Sequence, residues 1–152
     1  MSVYVQTEDF DVGLLLNQLR LAHPAAGAVV SFVGQVRDIN DGNSINTLTL
    51  EHYPGMTESA LAAIETEALA RWDLIDSVII HRIGTLKPLD QIVLVAVLSA
   101  HRGDAFKACE FIMDYLKTKA PFWKKEITPT GERWVDAKSS DDVAINRWNK
   151  SN

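Results

Sequence analysis

Two lysines seven positions apart, Lys117 and Lys124, and the junction Ser99-Ala100-His101-Arg102-Gly103-Asp104 are where this sequence gathers side chains able to do chemistry. The junction falls where an apolar, strand-like run gives way to a helical pattern. Backbone N–H groups at a helix start attract phosphate, and His101 with Arg102 would add donors. Equally, Asp104 would act as an ordinary cap while Arg102 points to solvent. Lys117 and Lys124 would sit two turns apart on one face of a continuous helix, but Pro121 lies between them and interrupts it. Only a chain reversal brings the two amines together. A strand over residues 123–128 would then turn Lys124 and Glu126 to one face, and Trp123, Lys125 and Ile127 to the other. A lysine amine is a weak base at its ordinary pKa of roughly 10.4, and neighbouring cations or partial burial lower it toward a catalytic range. Arg37, Arg102 and the second lysine are the available cations, although solvated lysines are the commoner outcome.

Other residue types offer less. His23, His52, His81 and His101 lack metal-ligand spacing, and Cys109 sits in the middle of an apolar helical stripe, as an inert core thiol would. We therefore expect neither a metal site nor thiolate catalysis. No serine lies in a Gly-x-Ser-x-Gly elbow, and Gly27, Gly34 and Gly42 form no phosphate-binding loop, so nucleotide hydrolysis has no support. Phe122 and Trp123 have the ring faces to stack on a flat heterocycle, yet aromatics beside a helix end are usually core.

The whole chain sets bounds on these readings. Its 152 residues are 47% hydrophobic and 23% charged, which suits one globular domain, 1–152, that needs no disulfide to hold its core; the tail after about residue 138 is expected to be flexible. One cysteine and an acidic N-terminal stretch without a signal-peptide pattern point to the cytoplasm. No apolar run approaches the roughly 20 residues of a membrane span. The net charge of −5 argues against non-specific nucleic-acid binding. Between His101 and Lys125, however, six bases face three acids, an island of +3. That island suggests a local anion site, or else solvated lysines on a helix and a turn.

Periodicity supplies the elements that must position these groups. A helix is expected over about 10–21, strands over 28–36 and 45–53 joined as a hairpin across a mobile polar loop holding Asp41-Gly42-Asn43, and a helix from 57 to about 72. Strands over 77–83 and 91–100 come next, then a helix from about 103 that ends near 117–119, before Pro121. A last hairpin pairs 123–128 with 132–137 around Pro129-Thr130-Gly131. Paired strands alternating with helices make an α+β fold with largely antiparallel sheet.

Several strings, taken in order, resemble the catalytic (large) subunit of molybdopterin synthase. They are Phe32-Val33-Gly34-Gln35-Val36-Arg37; Leu48-Thr49-Leu50-Glu51-His52-Tyr53-Pro54-Gly55-Met56-Thr57; His81-Arg82-Ile83-Gly84; Ser99-Ala100-His101-Arg102; the run from Phe111 through Tyr115-Leu116-Lys117-Thr118-Lys119-Ala120-Pro121-Phe122-Trp123-Lys124-Lys125-Glu126; and Arg133-Trp134-Val135. The resemblance spans about residues 28–137. It implies an α/β hammerhead-like fold and a homodimer at the centre of a heterotetramer. At each outer end would sit a small ubiquitin-like sulfur-carrier subunit ending in a Gly-Gly thiocarboxylate. The implied activity is that of a sulfurtransferase inserting two dithiolene sulfurs into cyclic pyranopterin monophosphate to give molybdopterin, without cofactor, metal, nucleic acid or membrane.

Carried over by motif, the resemblance implies substrate contacts at Gln35, Val36, Arg37, His101, Arg102, Lys117, Lys124, Lys125 and Glu126. Arg37, His101 and Arg102 would hold the cyclic phosphate and orient the pterin. Lys117 would be the principal catalytic residue, moving protons, stabilising charge or acting covalently through its amine. Lys124 would assist and hold the carrier's terminal carboxylate. One departure is Gln35, where close relatives are expected to carry lysine; Arg37 is expected to compensate. The alternative reading from the residues alone is a phosphate- or nucleic-acid-binding module without catalysis, whose affinity would fall steeply with salt.

Overall fold

The segment Ile92-Val93-Leu94-Val95-Ala96-Val97-Leu98 is an unbroken apolar run, a pattern suited to a strand covered on both faces. In a computed structural model of the chain, which describes residues 1–135 and 139–149, this run forms the middle of a four-stranded sheet. The strands are β1 (Ser2–Gln6), β2 (Ala28–Gln35), β6 (Asp76–Arg82) and β8 (Gln91–Ser99), in the order β1-β6-β8-β2. β6 and β2 run antiparallel to β8, while β1 lies parallel to β6.

Alternation along β8 feeds two cores. Val93, Val95 and Val97 pack against Leu61, Ile64 and Ala68 of helix α2 (Met56–Arg71) and Ala108, Phe111, Ile112 and Leu116 of α3 (Arg102–Lys119). Leu94, with Val78 and Ile80 of β6, faces Phe10 and the Val12, Leu15 and Leu19 stripe of α1 (Val12–Ala22). Cys109 is a buried core thiol, and burial pushes its pKa up to about 12.

The second sheet is built from β5 (Thr47–His52), β7 (Gly84–Leu86), β9 (Phe122–Thr128) and β10 (Gly131–Val135), ordered β10-β9-β5-β7. Its smaller core joins Leu48, Leu50 and Leu86 to Val36. Between the sheets, β3 (Ile39–Asn40) and β4 (Asn43–Ser44) form a miniature hairpin. Helix α4 (Ser139–Ile145) and a 3₁₀ turn (Asn146–Trp148) return the tail to α3, where the Trp148 indole N–H donates to the Asp114 carboxylate at 2.6 Å. Residues 136–137 of the expected last strand, residue 138 and the final residues of the tail, 150–152, lie outside the described residues. No described helix is long and apolar enough to cross a membrane.

The α+β class with largely antiparallel sheet is as expected, and so are the β6–β8 and β9–β10 pairs. The expected hairpin between 28–36 and 45–53 is not formed: β2 pairs with β8, and β5 pairs with β7 and β9 in the other sheet. The reason is local. Asp41 and Gly42 both take positive φ, 51° and 78°, which is the geometry of a tight two-residue turn. That turn closes β3 onto β4 alone, pairing Ile39 with Ser44 and Asn40 with Asn43, so the chain passes from one sheet to the other. Strand β1, unassigned from the sequence, occupies the sheet edge beside β6.

Candidate active site

Helix α3 ends where it must. Ala120, preceding Pro121, has extended angles (φ −81°, ψ 132°), as a residue before proline prefers. The reversal is clamped from the start of α2. The fully buried Thr57 donates its hydroxyl to the Pro121 carbonyl at 3.1 Å and accepts from the Tyr53 N–H at 3.0 Å. Behind it, the His81 ring stacks face to face on Phe122, with centroids 3.7 Å apart. The reversal therefore leads the chain from the last turn of α3, which carries Lys117, into β9.

Register then sorts the side chains. Leu48 lies opposite Glu126 and Leu50 opposite Lys124 on one side of β9, while Arg133 and Val135 lie opposite the same two residues on the other. Lys124 and Glu126 thus share the inner face of this sheet, as their alternation predicts. This face walls a cavity of about 270 Å³. Lys117 and Lys124 both line it, together with Gln35, Val36 and Arg37 from the end of β2 and Phe122 from the reversal. Ile45, Leu48 and Ile92 supply an apolar floor, and Asp141 reaches it from α4. Three cationic side chains over an apolar floor suit a flat, anionic ligand: the cations meet its charge and the floor its ring.

A ring of polar side chains forms part of the cavity wall. Glu126, only 4% exposed, accepts from the Arg133 Nε at 2.6 Å and from the amide of Asn40. The Asn40 side-chain oxygen accepts from Arg37 Nη2 at 2.9 Å, and its backbone carbonyl accepts from Arg133 Nη2 at 3.0 Å. Asn40 itself is 8% exposed, so these bonds tie the loop expected to be mobile to the floor of the site.

Behind Phe122, His81 is buried. Burial is the main cause that pushes its pKa down to about 3, and the Lys124 and Lys117 charges act in the same direction. The imidazole is therefore neutral, with Nδ1 2.8 Å from the Arg82 carbonyl. Among the described residues no three His, Cys, Asp or Glu side chains converge to hold a metal ion.

Not every expected residue comes to the cavity. Lys125 lies on the opposite face, 3.8 Å from Glu132 and 5.6 Å above the Trp134 ring, and Trp123 shares that outer face. His101 and Arg102 are exposed at the first turn of α3, about 22 Å along the helix from Lys117 at 1.5 Å per residue. His101 makes no side-chain cap, and Asp104 accepts from the Asp73 N–H at 3.2 Å instead of capping its own helix. The +3 island is thus spread along α3 and onto β9. Residues that sequence reasoning left out are Asn40, His81 and Asp141. The Asp41-Gly42 turn was the only signal near Asn40, and it gave the turn without its buried contacts.

Comparison with known proteins gives one family. The MoaE protein family matches residues 5–119. The chain is 61% identical to the molybdopterin synthase catalytic subunit of Ralstonia nicotianae over 147 residues, covering 97% of this chain and 84% of that one. In structure it resembles the molybdopterin biosynthesis MoaE protein of Burkholderia ambifaria, with a TM-score of 0.84, 56% identity and 99% of both chains covered. It shares its fold with a chain in a protein–protein complex of subunits 1 and 2 of the molybdopterin-converting factor of Helicobacter pylori, at a TM-score of 0.74 and 19% identity over 90% of this chain and 92% of that one.

Proposed function

The chain belongs to the MoaE family of molybdopterin synthase catalytic subunits, and from that premise we propose that its cavity is where cyclic pyranopterin monophosphate receives the two sulfurs that make it molybdopterin. The observation that carries this reading is the meeting of Lys117, Lys124 and Arg37 around one cavity, although they come from a helix end, a strand and a strand exit. Arg37 holds the cyclic phosphate through charge-assisted hydrogen bonds, and Phe122 with Ile45 and Leu48 faces the pterin ring. The sulfur donor is a small carrier subunit whose C-terminal Gly-Gly thiocarboxylate enters beside Lys124. The two-subunit Helicobacter pylori complex, alike in fold, supports a partner of this kind.

In each transfer the carrier's sulfur attacks a carbon of the pterin substrate and forms the new carbon–sulfur bond, while that carbon's bond to oxygen breaks and the oxygen leaves as water or stays with the phosphate. Water then takes the acyl group, the acyl–sulfur bond breaks, and the carrier leaves as a carboxylate. Lys117 moves protons and stabilises the charge that develops at the attacked carbon, while Lys124 holds the carrier's carboxyl end. Gln35 offers an amide where a cation is expected of relatives, and Arg37 supplies the phosphate contact beside it.

His101 and Arg102 enter the site from a second copy of the chain. β2 is an edge strand, and its Val29, Phe32 and Val33 are each more than a third exposed. Such an edge is a template for another strand. Ala28 pairs with Ser99, so the first end of β2 lies beside the His101–Arg102 turn, while Gln35–Arg37 at its other end line the cavity. An antiparallel meeting of two β2 strands across a two-fold axis brings the turn of each copy to the cavity of the other. The resulting homodimer, with one carrier per cavity, is a heterotetramer that works in the cytoplasm. Mixing the purified chain with thiocarboxylated carrier and cyclic pyranopterin monophosphate should yield a product in which mass spectrometry finds sulfur in place of oxygen. Unchanged substrate in the presence of intact carrier would refute the proposal.

A further inference from the structure

Asn40 touches both signs of charge at the cavity rim. Its amide donates to the Glu126 carboxylate, which has no proton to give back, and its carbonyl oxygen accepts from the Arg37 guanidinium, which has no lone pair to offer. The orientation of the amide is therefore dictated by its neighbours. The backbone carbonyl of the same residue is fixed by Arg133, whose Nε holds the other oxygen of Glu126. The Asp41-Gly42 turn in turn fixes Asn40 opposite Asn43. Each element of the ring thus restrains Asn40: the hairpin through its backbone, β9 through Glu126 and β10 through Arg133.

What this arrangement prevents is as informative as what it holds. Glu126 and Arg37 line the same cavity, and a guanidinium next to a carboxylate forms a bidentate pair in preference to one bond with a neutral amide. Such a pair would turn the donors of Arg37 inward and cancel its charge. With the amide between them, Arg37 spends one donor on Asn40 at 2.9 Å and keeps its other donors for a ligand. Aspartate at this position would have no proton for Glu126, and alanine would leave nothing between acid and base.

We infer that Asn40 is a positioning residue: interposed between Arg37 and Glu126, it keeps the guanidinium from pairing with the carboxylate and aims it at the anionic group of the substrate. This inference rests on the reading that the cavity takes a phosphate-bearing pterin. It adds to that reading a residue that acts through Arg37 rather than on the reacting atoms.

The test is a double-variant cycle on the synthase reconstituted with thiocarboxylated carrier. Asn40→Ala should raise KM for cyclic pyranopterin monophosphate on the order of tenfold, the scale of one hydrogen bond to a charged group, with kcat held within about twofold. In an Arg37→Ala background the same change should have no further effect on KM. Asn40→Asp, which keeps the shape but gives Arg37 a carboxylate to pair with, should raise KM as well, and it decides the matter if the alanine variant does not fold. A wild-type KM in a folded Asn40 variant, or KM effects of Asn40→Ala and Arg37→Ala that multiply in the double variant, would overturn the inference. An arm independent of turnover tracks the Arg37 Nε–Hε resonance by NMR. Its position should shift in Asn40→Ala while the Arg82 resonance stays put, and an unmoved Arg37 signal would also overturn the inference. If the wild-type enzyme forms no molybdopterin, the proposed function fails, and the resonance still decides the role of Asn40.

Discussion

The two ends of α3 carry similar charges in opposite surroundings. At the first turn, His101 and Arg102 are exposed and are not among the residues that line the cavity. At the last turn, Lys117 shares a cavity with Lys124 of the returning strand, and Arg37 and an apolar floor complete its lining. The difference comes from the chain segment adjoining each end. Pro121 forces a reversal that Thr57 and His81 hold in place, whereas the residues leading into the first turn come straight from the end of β8. A basic residue becomes part of a site when the fold brings a second element to face it. For His101 and Arg102 that element is proposed to belong to another copy.

The largest expected effect separates the two ends most sharply. Lys117→Ala should lower kcat for molybdopterin formation by roughly 10²–10⁴-fold, the range of a general acid–base group, with carrier binding and thermal stability nearly unchanged. Turnover at the wild-type rate would remove Lys117 from the mechanism. Next comes substrate binding. Arg37→Glu should raise KM by about 10–100-fold, read by steady-state kinetics over a range of pterin concentrations. Arg102→Glu, at the remote end, should also raise KM, whereas Lys107→Glu, about one and a half turns further along the same helix, should not. Equal effects at 102 and 107 would show a general charge field rather than a contact.

Smaller effects sharpen the contrast between the faces of β9. Lys125→Ala should change kcat/KM by no more than about twofold, because an exposed pair with Glu132 is worth little. A loss matching that of Lys124→Ala would place Lys125 in the site after all. The last prediction concerns stability rather than turnover. His81, with its pKa pushed down to about 3, refuses a proton that the unfolded chain accepts near pH 6.5. The unfolded state therefore binds more protons between those values, and acidification through that window removes stability at roughly 1 kcal/mol per pH unit. Urea unfolding of His81→Phe should show that part of the pH slope flattened; an unchanged slope would mean that His81 is not the group responsible.

Much of this arrangement is legible in the sequence because it obeys local rules. The apolar stripe of α3, its end before Pro121, and the alternation that puts Lys124 and Glu126 on one face are all short-range patterns. The pairing of β2 was not legible, since strand partners are set by burial against distant segments and the Asp41-Gly42 turn serves a smaller hairpin. Asn40 was hidden for a related reason. Asparagine beside a turn is usually solvated, and only the tertiary approach of Glu126 and Arg37 buries it. The tail likewise carries no signal that Asp141 reaches the cavity.

Subunit complementation tests the central claim most directly. Lys117→Ala chains, low in kcat, and Arg102→Ala chains, high in KM, are mixed under conditions that exchange subunits and assayed with thiocarboxylated carrier at pterin concentrations well below the wild-type KM, where each is weakly active alone. If each cavity draws Lys117 from one copy and Arg102 from the other, mixed dimers contain one intact cavity, and random exchange restores about a quarter of wild-type activity. A mixture no more active than its parents would contradict a site shared between copies.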